Sequence, residues 1–191
     1  MRRLPILFVV DVSGQDDQKY FSFAKSIIGN TIQICSEDPY LEEELYVAVA
    51  TTSCCSKLIK PLTALYEFKD DFSLHSDGTT IDIETFKSFV SSFIKCEIIK
   101  TTTETKGDRR PSIVLITKNT FDADFLYKMS VDLHLGDHIL TDGMRSRLLV
   151  LNYLGINDTI HMPHIIFDVN IEAFADDPEE LAEIPPLLII K

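Results

Sequence analysis

The sequence predicts an α/β fold: a mostly parallel central sheet with helices on both faces and one antiparallel edge strand. Three observations carry this expectation. Apolar runs without polar alternation, at Leu4–Val10, Leu45–Thr52 and Ser112–Thr117, read as strands covered on both faces. Segments of helical spacing lie between the strand-like runs, and strands alternating with helices imply parallel crossover units. Pro61 falls inside a further β-rich stretch, Ser56–Phe68. Proline has no N–H to give to a ladder, which places that strand at an edge.

Each element follows from its local pattern. Leu4–Val10 is the first strand. Asp16–Cys35 is a helix, with Tyr20, Phe23/Ala24, Ile27, Thr31/Ile32 and Cys35 recurring every three or four residues. Asp16 and Asp17 are expected in its first turn, where the helix dipole favours acids. PYLEEE (39–44) reads as a polar connection to the strand Leu45–Thr52. Leu74–Asp82 is a turn into a second helix whose apolar face is Ile83, Phe86, Phe89/Val90 and Phe93. A polar stretch then leads through Pro111 into the buried strand Ser112–Thr117. FDADFLYKMSVDL (121–133) is helical in pattern, and Arg147–Leu154 and His164–Val169 are two more strands. The ten residues between them, GINDTIHMPH, fall short of the dozen or so that a crossover helix needs, so the C-terminal part is expected to be trimmed. Asp177 followed by Pro178 starts a short helix, and the chain closes in PPLLIIK. One domain over 1–191 is expected, with 176–191 as a short helix plus apolar tail. That tail is a candidate surface for self-association.

Bulk properties narrow the function classes. The net charge is −12, from 30 acidic and 18 basic residues, which disfavours nucleic acid and anionic membrane as partners, since both require clustered Lys and Arg. No apolar run reaches the ~20 residues of a membrane span. The opening MRRLPILFVVDV has two arginines before an apolar run, but it meets Asp11 early and lacks a small-residue cleavage site, so it reads as a strand and not a leader. The four cysteines, Cys35, Cys54, Cys55 and Cys96, have no Cys-x-x-Cys spacing. The adjacent pair, read as extended, should point to opposite faces. All four are expected as free thiols in a reducing cytoplasm.

In folds of this type ligands gather at the carboxyl ends of the strands. Asp11, Thr79 and Lys118 are each expected at that rim. Here the chain resembles von Willebrand factor type A domains, and among them the bacterial tellurium-resistance-associated (TerY-type) group. The segments that carry the resemblance are RRLPILFVVDVSG, KLIKPLTALYEF, DGTTI and KTTTETKGDRRPSIVLIT, which together span about residues 2–118. The resemblance implies a Rossmann-like fold and a metal-ion-dependent adhesion site: Asp-x-Ser-x-Ser after the first strand, a later Thr, and an Asp after the fourth strand. Oxygen ligands and water would hold Mg²⁺ octahedrally there. Residue by residue, the first Asp and Ser fall on Asp11 and Ser13, the second Ser on Gln15, the Thr on Thr79 with Thr80 beside it, and the last Asp on Lys118.

Lysine has three donors and no acceptor, so it cannot ligate a cation. Its charge would also repel one by roughly 4 kcal/mol at ~4 Å and an effective dielectric of about 20. The metal site is therefore expected to be lost, with no cofactor, and with the Lys118 ammonium paired to Asp11 in the cation's place. The alternative is that Lys118 faces solvent and Asp11 caps the turn that follows it. Asp122 and Asp124 are the candidates for a replacement carboxylate; FDAD is otherwise a helix start.

Other constellations are weaker. HLGDH (His134, Asp137, His138) and HMPH (His161, His164) suggest zinc, but Gly136 and Asp137 favour a loop. No Gly-x-Ser-x-Gly elbow and no glycine-rich phosphate loop is present. Asp142, in a Thr-Asp-Gly, would serve the rim only in a register that leaves RPSIVLIT unexplained. The expected function is a non-catalytic, metal-independent protein-interaction module, by resemblance one of a stress-response assembly. The rivals are a metal-dependent adhesion domain and a histidine-based metalloenzyme or hydrolase.

Overall fold

The structure, a computed structural model, describes residues 4–99, 112–119, 147–153 and 163–165. In chain order the elements are β1 (Leu4–Asp11), α1 (Gln18–Ser36), α2 (Pro39–Glu44), β2 (Leu45–Thr52), β3 (Ser56–Ala64), a 3₁₀ turn (Leu65–Glu67), α3 (Ile83–Phe93), a π turn (Ile94–Ile99), β4 (Ser112–Thr117), β5 (Arg147–Asn152) and β6 (Pro163–Ile165). Among the described residues six strands form one sheet, in the order β3-β2-β1-β4-β5-β6. The pairs β1–β2, β1–β4 and β4–β5 are parallel. This is the mostly parallel, Rossmann-like α/β arrangement expected from sequence, with antiparallel strands at both edges where one was expected.

The apolar strands are buried on both faces because each face carries its own helix. Along β1, side chains alternate across the sheet. Leu4, Ile6, Phe8 and Val10 enter one core with Tyr20, Ala24, Ile27 and Ile28 of α1. Leu7 and Val9 enter the other with Phe86, Val90 and Phe93 of α3. Phe8, Ile27, Phe86 and Val90 are fully excluded from solvent. A side chain of this size contributes about 1.5–3 kcal/mol on burial, so the helical spacing read from sequence is the spacing of the two interfaces.

The edges also follow from residue type. β3 pairs antiparallel with β2, and its register shifts between Val47 and Val49 and again between Val49 and Ala50. Pro61 falls within the first irregularity, between the paired Lys60 and Thr63, where its missing N–H costs no ladder bond. At the opposite edge the three-residue β6 also runs antiparallel, to β5.

Three local readings are corrected. The polar connection at 39–44 is a short helix: the Asp38 carboxylate accepts from Tyr40 N at 2.9 Å, Pro39 stands at the first position, and Leu41 is buried. The helix α1 starts later than expected. Asp17 is its cap, accepting from Tyr20 N at 3.1 Å, so neither Asp16 nor Asp17 lies in the first turn. Cys54 and Cys55 are not on an extended segment; they sit in the bend between β2 and β3, and both are exposed. Of the strand expected at His164–Val169, the described residues include Pro163–Ile165. The helix over 121–133 and the segment 176–191 lie outside the described residues, as do Asp122, Asp124, His134, Asp137, His138, Asp142 and His161, and the side chain of His164. Among the described residues no helix is long and apolar enough to cross a membrane.

Candidate functional site

The strand order turns around β1: its sequence neighbour β2 lies on one side and β4 on the other. The carboxyl ends of β1 and β4 therefore flank a topological switch point, where open α/β sheets bind ligands. The parallel register sets Val10 opposite Ile116. One step further, Asp11 meets Thr117 at the rim.

Asp11 is fully buried and anchors the rim. Its Oδ1 accepts from Ser13 N at 2.9 Å, closing the turn after β1. Its Oδ2 accepts from Thr117 Oγ1 at 2.6 Å and from Asn119 Nδ2. The same Asn119 nitrogen donates to Ser13 Oγ at 3.2 Å. One amide NH₂ thus stands between Asp11 and Ser13, giving a proton to each. The amide turns its nitrogen inward because an oxygen there would face the lone pairs of the carboxylate. Thr117 relays the arrangement, since its hydroxyl also accepts from Asn119 N at 3.0 Å.

Lys118 does not pair with Asp11. Its ammonium donates to the backbone carbonyl of Gln15 at 2.8 Å and lies 5.3 Å from the centre of the Tyr20 ring. Asp11 caps the following turn, as in the alternative reading. The physical reason is donor geometry: neighbouring N–H and O–H groups saturate the buried carboxylate before a long ammonium reaches it. Gly14, at φ +76°, turns the chain there with Lys118 Cε and Nζ 3.9 Å from where a Cβ would stand. That positive φ is a conformation in which side chains other than glycine are strained.

Beneath the rim, the Tyr20 hydroxyl lies 2.8 Å from both the Asp11 and the Ile116 carbonyl oxygens, tying the ends of β1 and β4 together. Burial first, and the nearby Asp11 charge second, push the phenol well above its usual pKa, so it stays a neutral donor.

Thr79 reaches the rim from the loop before α3, but by its backbone. Gly14 N donates to its carbonyl at 2.6 Å, while its hydroxyl donates to Asp77 Oδ1 at 2.7 Å and accepts from Cys54 N at 3.3 Å. Thr80 and Gln15 are exposed, Gln15 contributing the carbonyl that Lys118 meets. The Asp77 carboxylate also accepts from Ser53 Oγ and from Thr79 N. Burial pushes its pKa up, but the Ser53 and Thr79 hydrogen bonds outweigh that and hold it below the usual carboxylate range.

A depressed folded-state pKa contributes stability that is present above the unfolded value, near 4, and is lost as pH falls through the folded value. The thermal midpoint of the wild type is therefore expected to fall below about pH 4 more steeply than that of Asp77→Asn. Parallel acid-side slopes in scanning calorimetry would show that Asp77 holds nothing.

The set of donors does not fit a hard divalent cation. Both Asp11 oxygens are taken by donors, an amide nitrogen stands between Asp11 and Ser13, and the Thr79 hydroxyl is turned to Asp77. Mg²⁺ needs oxygens converging at about 2.1 Å in octahedral geometry. Among the described residues no group of three or more His, Cys, Asp or Glu is placed to hold a metal ion.

Of the residues singled out from sequence, the fold brings Asp11, Ser13, Gln15, Thr79 and Lys118 to one rim. Sequence reasoning missed Asn119, Thr117 and Tyr20. The available signal was the demand of Asp11 and Ser13 for a donor at a rim where Lys118 is the residue after β4; Asn119, one residue further, supplies two N–H groups.

No family model and no curated protein matches this chain. Solved structures do. Proximal thread matrix protein 1 from the mussel byssus is similar at 12% identity and a TM-score of 0.52, over 78% of this chain and 37% of that one. An aerotolerance-related membrane protein from Bacteroides fragilis is similar at 11% identity and a TM-score of 0.47, over 94% and 87%. The conserved hypothetical protein BatB from Bacteroides thetaiotaomicron is similar at 13% identity and a TM-score of 0.45, over 94% and 85%. The chain spans little more than a third of the mussel protein, and that likeness is one of fold alone. The two Bacteroides likenesses, with TM-scores under 0.5, add nothing to it.

Proposed function

We propose that this chain is a non-catalytic protein-interaction module of the von Willebrand A type whose rim works without a divalent cation. The observation that supports this most directly is the Asn119 amide between Asp11 and Ser13. A neutral NH₂ answers the acceptors that a cation would otherwise bridge, and it does so without the charge a metal would bring. The rim then presents Lys118, half-buried over Tyr20. An ammonium has three donors, and one is given to Gln15. An acidic side chain of a protein partner is the natural complement for the rest. By the resemblance of its sequence, the assembly is a cytoplasmic, tellurium-resistance-like stress-response complex.

The test combines partner and cation dependence. Native protein is used for pull-down with and without chelator, and for calorimetric titration with Mg²⁺ and Mn²⁺. Capture unchanged by chelator, with no heat of cation binding, is the expected result. Micromolar cation binding, or capture abolished by chelator, sinks the proposal. A Lys118→Glu variant should lose the captured partner while keeping the wild-type thermal midpoint to within a few degrees.

A further inference from the structure

We infer that Cys54 and Cys55 form a dithiol site in the β2–β3 bend that takes a soft, thiophilic trivalent metalloid by bridging both sulfurs. Both thiols are free and exposed. Both lie in a bend, outside the alternation of the flanking strands. It is also held in shape: Ser53 N donates to the Cys55 carbonyl at 3.0 Å, and Cys54 N to the Thr79 hydroxyl at 3.3 Å. Two adjacent residues thus expose soft ligands on a turn held by hydrogen bonds. The inference does not depend on the reading of the rim given above.

The ligand class follows from valence and distance. Adjacent Cα atoms are about 3.8 Å apart, closer than the roughly 4.4–6.8 Å that an ordinary disulfide spans. Direct S–S closure therefore distorts the bend. A bridging atom with bonds to sulfur of about 2.3 Å, as in metal thiolates, is satisfied by sulfurs roughly 3.5–4 Å apart. A structural zinc ion needs four ligands, and among the described residues no group of three or more His, Cys, Asp or Glu offers them. A trivalent metalloid needs two bonds to the pair and keeps its third substituent. Soft thiolates favour soft acceptors over the hard cations of oxygen sites. With phenylarsine oxide, two S–H bonds break, two As–S bonds form, and the arsenic-bound oxygen leaves as water with the two protons. No electrons change hands.

Cys35 does not compete: it is buried, and burial first and Asp38 second push its thiol up to about 12. The exposed Cys96 is removed in the test. In a Cys96→Ser background the native chain is expected to show two thiols reactive toward an aromatic disulfide. One equivalent of phenylarsine oxide should silence both, with the circular dichroism unchanged. A dithiol such as 2,3-dimercaptopropanol should restore them where an equal amount of a monothiol does not. Adding Cys54→Ser or Cys55→Ser should weaken uptake about 100-fold, the gain expected of an intramolecular second bond. Either serine variant binding the arsenical as tightly as the parent overturns the inference. So does a second thiol that stays reactive at one equivalent, or uptake that occurs only with loss of the native spectrum.

Discussion

Asp11→Ala is expected to destabilise the chain by about 3 kcal/mol or more. Asp11 is fully buried and accepts from three donors: Ser13 N, Thr117 Oγ1 and Asn119 Nδ2. Thr117 is equally buried, so its hydroxyl loses its acceptor in a place water does not reach. Each stranded buried donor costs about 1–3 kcal/mol. The half-buried Asn119 amide can turn to water and adds less. The effect reaches further than the hydrogen bonds, because the Asp11 turn positions Ser13 and Gly14, on which the loop carrying Thr79 rests. Urea unfolding is the measurement: the midpoint should fall with little change in slope. Asp11→Asn keeps the shape and one acceptor oxygen, and should lose less than half as much. A loss below about 1 kcal/mol for the alanine variant would mean that Asp11 is not the anchor of the rim.

The sequence carries the fold further than the site, for a physical reason. Strand and helix identity is written in local periodicity. The apolar run Leu4–Val10 and the spacing of Ile83, Phe86, Val90 and Phe93 each state which faces must be buried, and the two cores bury those faces. Pro61 gave the edge because a missing N–H is a property of one residue. The short helix at 39–44 was legible too, in Asp38 followed by Pro39. Its six residues are too few for periodicity to speak, so the cap was the one signal. Site chemistry is different, because it depends on which side chain a neighbouring strand delivers. Charge makes Lys118 the conspicuous residue in Thr117-Lys118-Asn119. The β1–β4 register instead brings Thr117 to Asp11, and the next turn brings Asn119, while Lys118 reaches outward over Tyr20. Tyr20 reads in sequence as one more residue of an apolar helix face. Only the approach of β1 to β4 gives its hydroxyl two carbonyls to meet.

The double variant Lys118→Asp/Asn119→Gly is expected to bind a divalent cation more tightly than the wild type. Two obstacles stand at the rim, and they are separable. Lys118 contributes a positive charge and no acceptor, and Asn119 places a donor between Asp11 and Ser13. Replacing the first places a carboxylate immediately after β4. Replacing the second vacates the space and leaves Ser13 Oγ and one lone pair of Asp11 Oδ2, which still accepts from Thr117, to face a common point. Lys118→Asp alone should gain less, because the amide still occupies that point and the new carboxylate meets the charge of Asp11. Without cation the double variant should be less stable than the wild type, since two carboxylates face each other and the Asn119 bonds are lost. With Mn²⁺ or Mg²⁺ at about 100 times its dissociation constant, binding should return roughly 2.7 kcal/mol. The thermal midpoint should therefore rise with added cation in the double variant and stay flat in the wild type. This pair of slopes separates an amide-filled rim from a rim whose backbone cannot gather the ligands at all. In the first case two substitutions recover cation dependence. In the second, with Thr79 held to Asp77 through its hydroxyl, the double variant stays as flat as the wild type, and the Asn119 amide fills a space that never suited an ion.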